Sequence, residues 1–240
     1  MSLPSVVSRT EWLEARRQLL AAEKKQTRER DALNAERRRL PMVRIDKEYV
    51  FEGPDGKASL GDLFGGYQQL IVQHMMFGPD WDAACPGCTA AIDELSDGTL
   101  THVRSRDTEF VLVSRGPLDK LRAYAASRGW TVPWYSSLGS DFNYDFQVTL
   151  DKNRPQLDYN YRSEPGALGD ADTTELPGMS CLLRDGEQIY HTYSTFARGT
   201  DGLGGSYSLL DLTAMGRQEE WEEPKGRAPT VHGADPTFTD

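Results

Sequence analysis

The chain has 240 residues, 38% of them hydrophobic and 10% aromatic, enough for one generous core with appendages. No apolar run approaches the roughly 18 residues of a membrane span, and Met1–Ser5 lacks the charged-then-apolar order of a secretory signal, so a cytoplasmic protein is expected. The net charge of −10 divides into +4 over residues 1–40 (ten Lys/Arg, six Asp/Glu) and −14 over the rest (seventeen against thirty-one), an acidic body that argues against nucleic acid as a partner.

Ser8-Arg9-Thr10-Glu11 has the form of a capping box, and nothing breaks the helix it opens until Pro41. Residues 9–39 span on the order of 45 Å as a helix. Their apolar residues are sparse, and Glu23–Asp31 contains none. Such a helix is expected to be a solvated rod packed at both ends, or an arm joining two copies as a homodimer. Tyr49–Glu52, the turn Gly53-Pro54-Asp55-Gly56 and Lys57–Leu60 read as a hairpin, and Leu60–Phe64 as a helical turn. A strand over Leu70–Phe77 is broken by Gly78-Pro79-Asp80. A helix continues through Thr89–Leu95, and Glu109–Ser114 is a buried strand. Pro117 opens and Gly129 closes a helix over Leu118–Ala126. This alternation over residues 70–128 is the grammar of a parallel sheet covered by helices.

Residues 130–148 interleave Trp130, Trp134, Tyr135, Phe142, Tyr144 and Phe146 with Ser, Asn and Asp, as expected of a segment with aromatics inward and polar groups outward. Residues 151–176 are polar and expected to be irregular. Met179–Arg184, the turn Asp185-Gly186 and Gln188–Tyr193 form a second hairpin, and Ser208–Leu212 is expected to be helical. The organisation expected is a helical arm (1–41), an α/β domain (42–217) and an acidic, Pro-containing tail (218–240).

The feature that names a chemistry is Cys85-Pro86-Gly87-Cys88, a dithiol on a strand-to-helix turn. A thiol at a helix N-terminus faces unpaired N–H groups and the positive dipole end, which favour thiolate. Pro86 suits a first helical turn and so puts Cys85 at or near the N-cap. Asp80 and Asp82 oppose that effect. A zinc site wants four ligands, and Cys181 is the one other cysteine, with no paired histidines among His74, His102, His191 and His232. No metal or cofactor is expected. Cys181 reads as a small apolar residue in a sheet or as a third redox thiol, and His74 as a packed core histidine.

The chain resembles the bacterial thioredoxin-like family catalogued as domain of unknown function 899. The resemblance rests on Glu11–Arg16, Arg37–Pro41, Tyr49–Phe51, Phe77–Trp81, Cys85–Cys88, Ser137–Phe146 and His191–Gly199. It implies a thioredoxin-like α/β fold, a central mixed sheet flanked by helices, preceded here by the long N-terminal helix. It implies a dithiol–disulfide oxidoreductase acting on a protein or small-molecule disulfide or thiol, with Cys85 as nucleophile and Cys88 as resolving thiol. Pro177, just before the second hairpin, corresponds to the cis-proline that aligns substrate in such folds. Trp81, Pro86, His191 and Arg198 are the expected site neighbours. Two other readings stand beside this one. The first is a binding module whose dithiol is regulatory or vestigial. The second is a peroxiredoxin-like peroxide reductase using Thr89 with Arg115 or Arg198.

Overall fold

In the computed structural model, which describes residues 4–203 with Gly205 and Glu220, the chain opens with α1 (Arg9–Arg37). Its capping box forms as read: the Glu11 N–H donates to Ser8 Oγ, and the Ser8 N–H donates to the Glu11 carboxylate at 2.9 Å. The expectation of packing at both ends is not met by the apolar residues of either end. No residue of α1 is buried, and Trp12, Leu19 and Leu20 are exposed, as are Leu33 and Leu40. Near its end, the Arg37 guanidinium lies 4.6 Å from the centre of the Tyr193 ring.

Strands β1 (Val43–Arg44), β2 (Val50–Gly53) and β3 (Gly56–Ser59) follow, with the hairpin as expected, then β4 (Gln69–His74). Helices α2 (Pro86–Asp93) and α3 (Asp97–Arg104) lead to β5 (Thr108–Ser114), α4 (Leu118–Arg128) and β6 (Trp134–Ser136). After α5 (Phe142–Asp145) come β7 (Thr149–Asp151), β8 (Asp158–Tyr159), β9 (Arg162–Ser163) and β10 (Thr173–Glu175). The second hairpin is β11 (Gly178–Asp185) with β12 (Gln188–Phe196), and a 3-10 segment runs over Ala197–Leu203.

Eight strands make one sheet in the order β1-β12-β11-β4-β5-β6-β2-β3. Strands β4, β5 and β6 run parallel, and β11 pairs antiparallel to β4 on its other side. A β4–α2–β5 crossover beside an antiparallel hairpin is the thioredoxin-like arrangement, here enlarged at both edges and preceded by the long helix. Both faces of β4 and β5 are covered. Leu70, Val72, Val111 and Val113 pack with Phe51, Phe64, Phe142 and Leu182 on one side. Leu112 on the other joins Cys88 and Ile92 of α2, Leu100 of α3 and Leu121 of α4. The near-continuous apolar runs of these strands follow from that double burial.

Some elements differ from the reading of the sequence. Strand β4 stops at His74; the Met75 N–H still donates to Val113 O, and Met75–Phe77 pack with the cluster beneath the helices. Helix α3 was not anticipated. Residues 151–176 hold short strands rather than irregular chain. In the aromatic segment, Ser136, Ser137 and Asn143 are buried rather than outward, because they bond to one another and to carbonyls: Ser136 Oγ donates to Gly116 O and Ser137 Oγ to Asn143 Oδ1. The expected helix at Ser208–Leu212 and the 218–240 tail lie outside the described residues. Among the described residues no helix is long and apolar enough to cross a membrane.

Candidate active site

The loop after β4 returns to start α2 with Cys85 at its N-cap and Pro86 in its first turn. The Cys85 N–H donates to Met76 O at 3.0 Å, and its carbonyl accepts the first helical bond from Thr89 N–H at 2.9 Å. One turn sets the two sulfurs at different depths, Cys85 half-buried and Cys88 buried, with the pair in its dithiol form. Trp81 packs beside them in the same apolar cluster. Gly78 permits this, since a Cβ there would lie 2.8 Å from the indole Nε1. The Lys120 ammonium donates to the Trp81 carbonyl at 2.9 Å and stands 3.6 Å from Asp82. A cation from α4 thus faces Asp82, a pairing that the sequence reading, which set Asp80 and Asp82 against the helix end alone, did not include.

Pro177 enters β11 at the same end of the sheet, since Gly178 pairs with His74 at the end of β4 and with Phe196 of β12. Gly178 is required there, because a Cβ would meet the Phe196 ring at 2.7 Å. The Pro177 carbonyl accepts from Tyr159 Oη at 2.7 Å, and that oxygen accepts from Ala197 N–H at 3.0 Å. Burial pushes the Tyr159 hydroxyl up to about 12, and the electrostatic influence of Cys88 adds to the rise. Tyr159 therefore ties the proline segment before β11 to the backbone that follows β12. Sequence reasoning missed it, and it lies in a stretch read as irregular. Backbone strain gathers here: Asn160 (φ 54°), Tyr161 (63°) and Ala197 (47°) all occupy the left-handed region.

A buried ion pair supports the segment from below. Arg115, just after β5, lies 2.9 Å from Glu175, whose other oxygen accepts from Thr149 Oγ1 at 2.6 Å. Burial pushes the Glu175 carboxyl up, while Thr149 and Arg115 pull it down. Leu176 N–H donates to Val148 O. That group and the Pro177 carbonyl are thus both engaged within the fold, the N–H fully and the carbonyl through one of its two lone pairs.

The other expected neighbours are spread out. Arg198 follows Ala197 and pairs with Asp201 at 3.4 Å. Thr89 turns its hydroxyl to Tyr124 at 2.9 Å, and Arg115 is held by Glu175 at 2.9 Å. Cys181 pairs with Ile71, three rungs from the Gly178–His74 end, about 10 Å along the strand. Burial pushes its thiol up and Arg37 opposes the shift. His191 lies five residues before Phe196 on β12, away from that end.

His191 is nonetheless tied to the site's strand. His74 Nε2 and Ser180 Oγ are 2.8 Å apart, Ser180 and Ser194 Oγ 2.7 Å, and Ser194 Oγ and His191 Nε2 2.7 Å, a continuous chain across β4, β11 and β12. His74 is buried as expected, its ring 5.7 Å from both Phe142 and Phe146, and desolvation drives it down to about 3. Among the described residues no group of three or more His, Cys, Asp or Glu is placed to hold a metal ion.

Similar solved structures include peroxidoxin BcpB of Mycobacterium tuberculosis (14% identity, 68% of this chain, 91% of that one, TM-score 0.47). Enterococcus faecalis AhpC matches at 12%, 71%, 86% and 0.43 in the same order. Peroxiredoxin Q of Xanthomonas campestris matches at 16%, 69%, 92% and 0.41. No curated protein matches significantly. The family model described as bacterial protein of unknown function (DUF899) spans residues 1–232, and the chain belongs to that family.

Proposed function

We propose that the protein is a dithiol–disulfide oxidoreductase. The observation that carries this reading is the stacking of one half-buried and one buried thiol on the first turn of α2, at the end of the sheet where Pro177 enters. The Cys85 thiolate attacks one sulfur of a substrate disulfide. A Cys85–substrate disulfide forms, and the other half of the substrate leaves as a thiolate that takes up a proton. Cys88, deprotonated, then attacks the Cys85 sulfur. The Cys85–Cys88 disulfide forms and the second substrate thiolate departs. Two electrons pass from dithiol to substrate, and a thiol reductant returns them.

Titration of the full chain against thiol–disulfide buffers is the test. A reversible two-electron couple is expected, absent in Cys85→Ser, whereas Cys88→Ser accumulates a mixed disulfide on Cys85. Absence of any reversible couple in the wild type sinks the reading.

A further inference from the structure

Beside the Pro177 segment lies a polar cavity of about 280 Å³, lined by Tyr144, Gln147, Thr149, Arg154 and Asp158 among others. It is joined to the Pro177 segment through two of its lining residues. Thr149 bonds the carboxylate of Glu175, two residues before Pro177, and Asp158 precedes Tyr159, which holds the Pro177 carbonyl. Its polar groups are incompletely used. Gln147 Oε1 is buried without a hydrogen-bond partner among the described residues, a state that ordinarily costs about 1–3 kcal/mol. Gln147 is also held at φ 58°, just after α5, where glycine or asparagine is the usual occupant. A strained position has thus been given a side chain whose acceptor meets no donor among the described residues.

Arg154 supplies the complementary charge. It lies 3.6 Å over the Tyr144 ring and pairs with Asp141 through Nη2 alone, so Nε and Nη1 have no partner among the described residues. Asp158 has no side-chain partner among them either, whereas neighbouring Asp145 is already engaged by Lys47 and Tyr49. The cavity therefore offers two acceptors, Gln147 Oε1 and the Asp158 carboxylate, and a guanidinium whose Nε–H and Nη1–H can each donate one charge-assisted hydrogen bond to a carboxylate. An α-amino-acid group, ammonium at one end and carboxylate at the other, matches that set. We infer that this cavity is the subsite for the non-reacting, free-termini part of a small cysteine-peptide disulfide. The inference rests on the dithiol reading for its link to chemistry, and its size lies at the lower end of small-ligand pockets, as a dipeptide requires.

The test uses the full chain carrying Cys85→Ser and Cys88→Ser, with S-methylcysteinyl-glycine as a probe that cannot exchange. Titration calorimetry is expected to show saturable binding. That binding weakens at least about tenfold with Arg154→Ala, with Gln147→Gly, and with a probe acetylated and amidated at its termini. Gln147→Gly suits the backbone conformation, so its effect is not one of misfolding. No binding, or equal binding of free and blocked probes, or indifference to both substitutions, overturns the subsite. Separately, wild type is treated with neutral 2-hydroxyethyl disulfide, which asks nothing of the cavity. If it closes the Cys85–Cys88 disulfide while the probe fails, the subsite falls and the dithiol reading stands. If the probe binds and no disulfide ever forms, the assignment to a disulfide substrate is overturned.

Discussion

Tyr159 shows how much one hydroxyl can organise. It donates to the carbonyl before β11 and accepts from the N–H after β12, while its ring packs on Phe196 at 5.4 Å. Tyr159→Phe keeps the ring and strands both partners, so a loss of about 1–3 kcal/mol is expected from urea denaturation. Alkylation of Cys88 should quicken as the proline segment loosens; unchanged stability and unchanged alkylation together would refute the role. Single-residue chemistry also fixes the proton order in the buried chain. His74 Nδ1 has no partner among the described residues, and an orphaned lone pair is cheaper than an orphaned N–H. His74 therefore donates from Nε2 to Ser180, Ser180 donates to Ser194, and Ser194 donates to His191 Nε2. The proton of His191 is left on Nδ1, in keeping with its bond to the Tyr193 backbone, which favours the charged form while burial pulls the ring down.

At the scale of elements, legibility tracked the range of the signal. Capping boxes, Pro at helix starts, Gly129 in the left-handed cap and the two turns of the hairpins are all encoded within four residues, and each formed where read. Helix α3 escaped because Ser96-Asp97-Gly98-Thr99 looks like a turn, although Ser96 is its N-cap and accepts from Thr99 N–H. Strand β8 carries Tyr159, and its importance depends on a carbonyl 18 positions away and an N–H 38 positions away. No local pattern announces that. The chain of histidines and serines was hidden for a further reason: a register shift between Cys181 and Leu182 decides which side chains of β11 and β12 face each other. Helix α1 was legible as an element and incomplete in its packing. Trp12, Leu19 and Leu33 are exposed at spacings of seven and fourteen, with Gln26 at the heptad position between the last two, and so lie along one line of the helix. We propose α1 as the contact between two copies. Sedimentation equilibrium should then show a dimer that Leu19→Lys converts to monomer; a monomeric wild type excludes the contact.

For the molecule as a whole, the buried histidines set how stability answers to pH. The folded state holds His74 down to about 3, against an ordinary value near 6.5, and lowers His191 as well. Below pH 6.5 the unfolded chain takes up protons that the folded chain refuses. Stability is therefore full above that pH and is lost on acidification, by up to ~1.4 kcal/mol per pH unit for each histidine. Urea denaturation between pH 7 and 5, above most carboxylate titration, should show this slope, and His74→Gln should reduce it by about one proton. A slope unaltered by that substitution would mean that His74 titrates normally in the folded state. The legible share of the molecule was thus its architecture and its dithiol, while the groups that tune them came from pairings no window of sequence contains.

The register of β4 also sets an order in time. His74 finds Val113 after 39 residues but Gly178 only after 104 (178 − 74). On a ribosome adding about 5–20 residues per second, Phe196 follows Cys85 by 111 residues, roughly 5 to 20 seconds. Until the 74th of those residues (159 − 85) is added, the chain that carries the nascent dithiol contains neither Tyr159 nor Pro177. The first partners these thiols meet are those of the translating cell, before the chain has built its own.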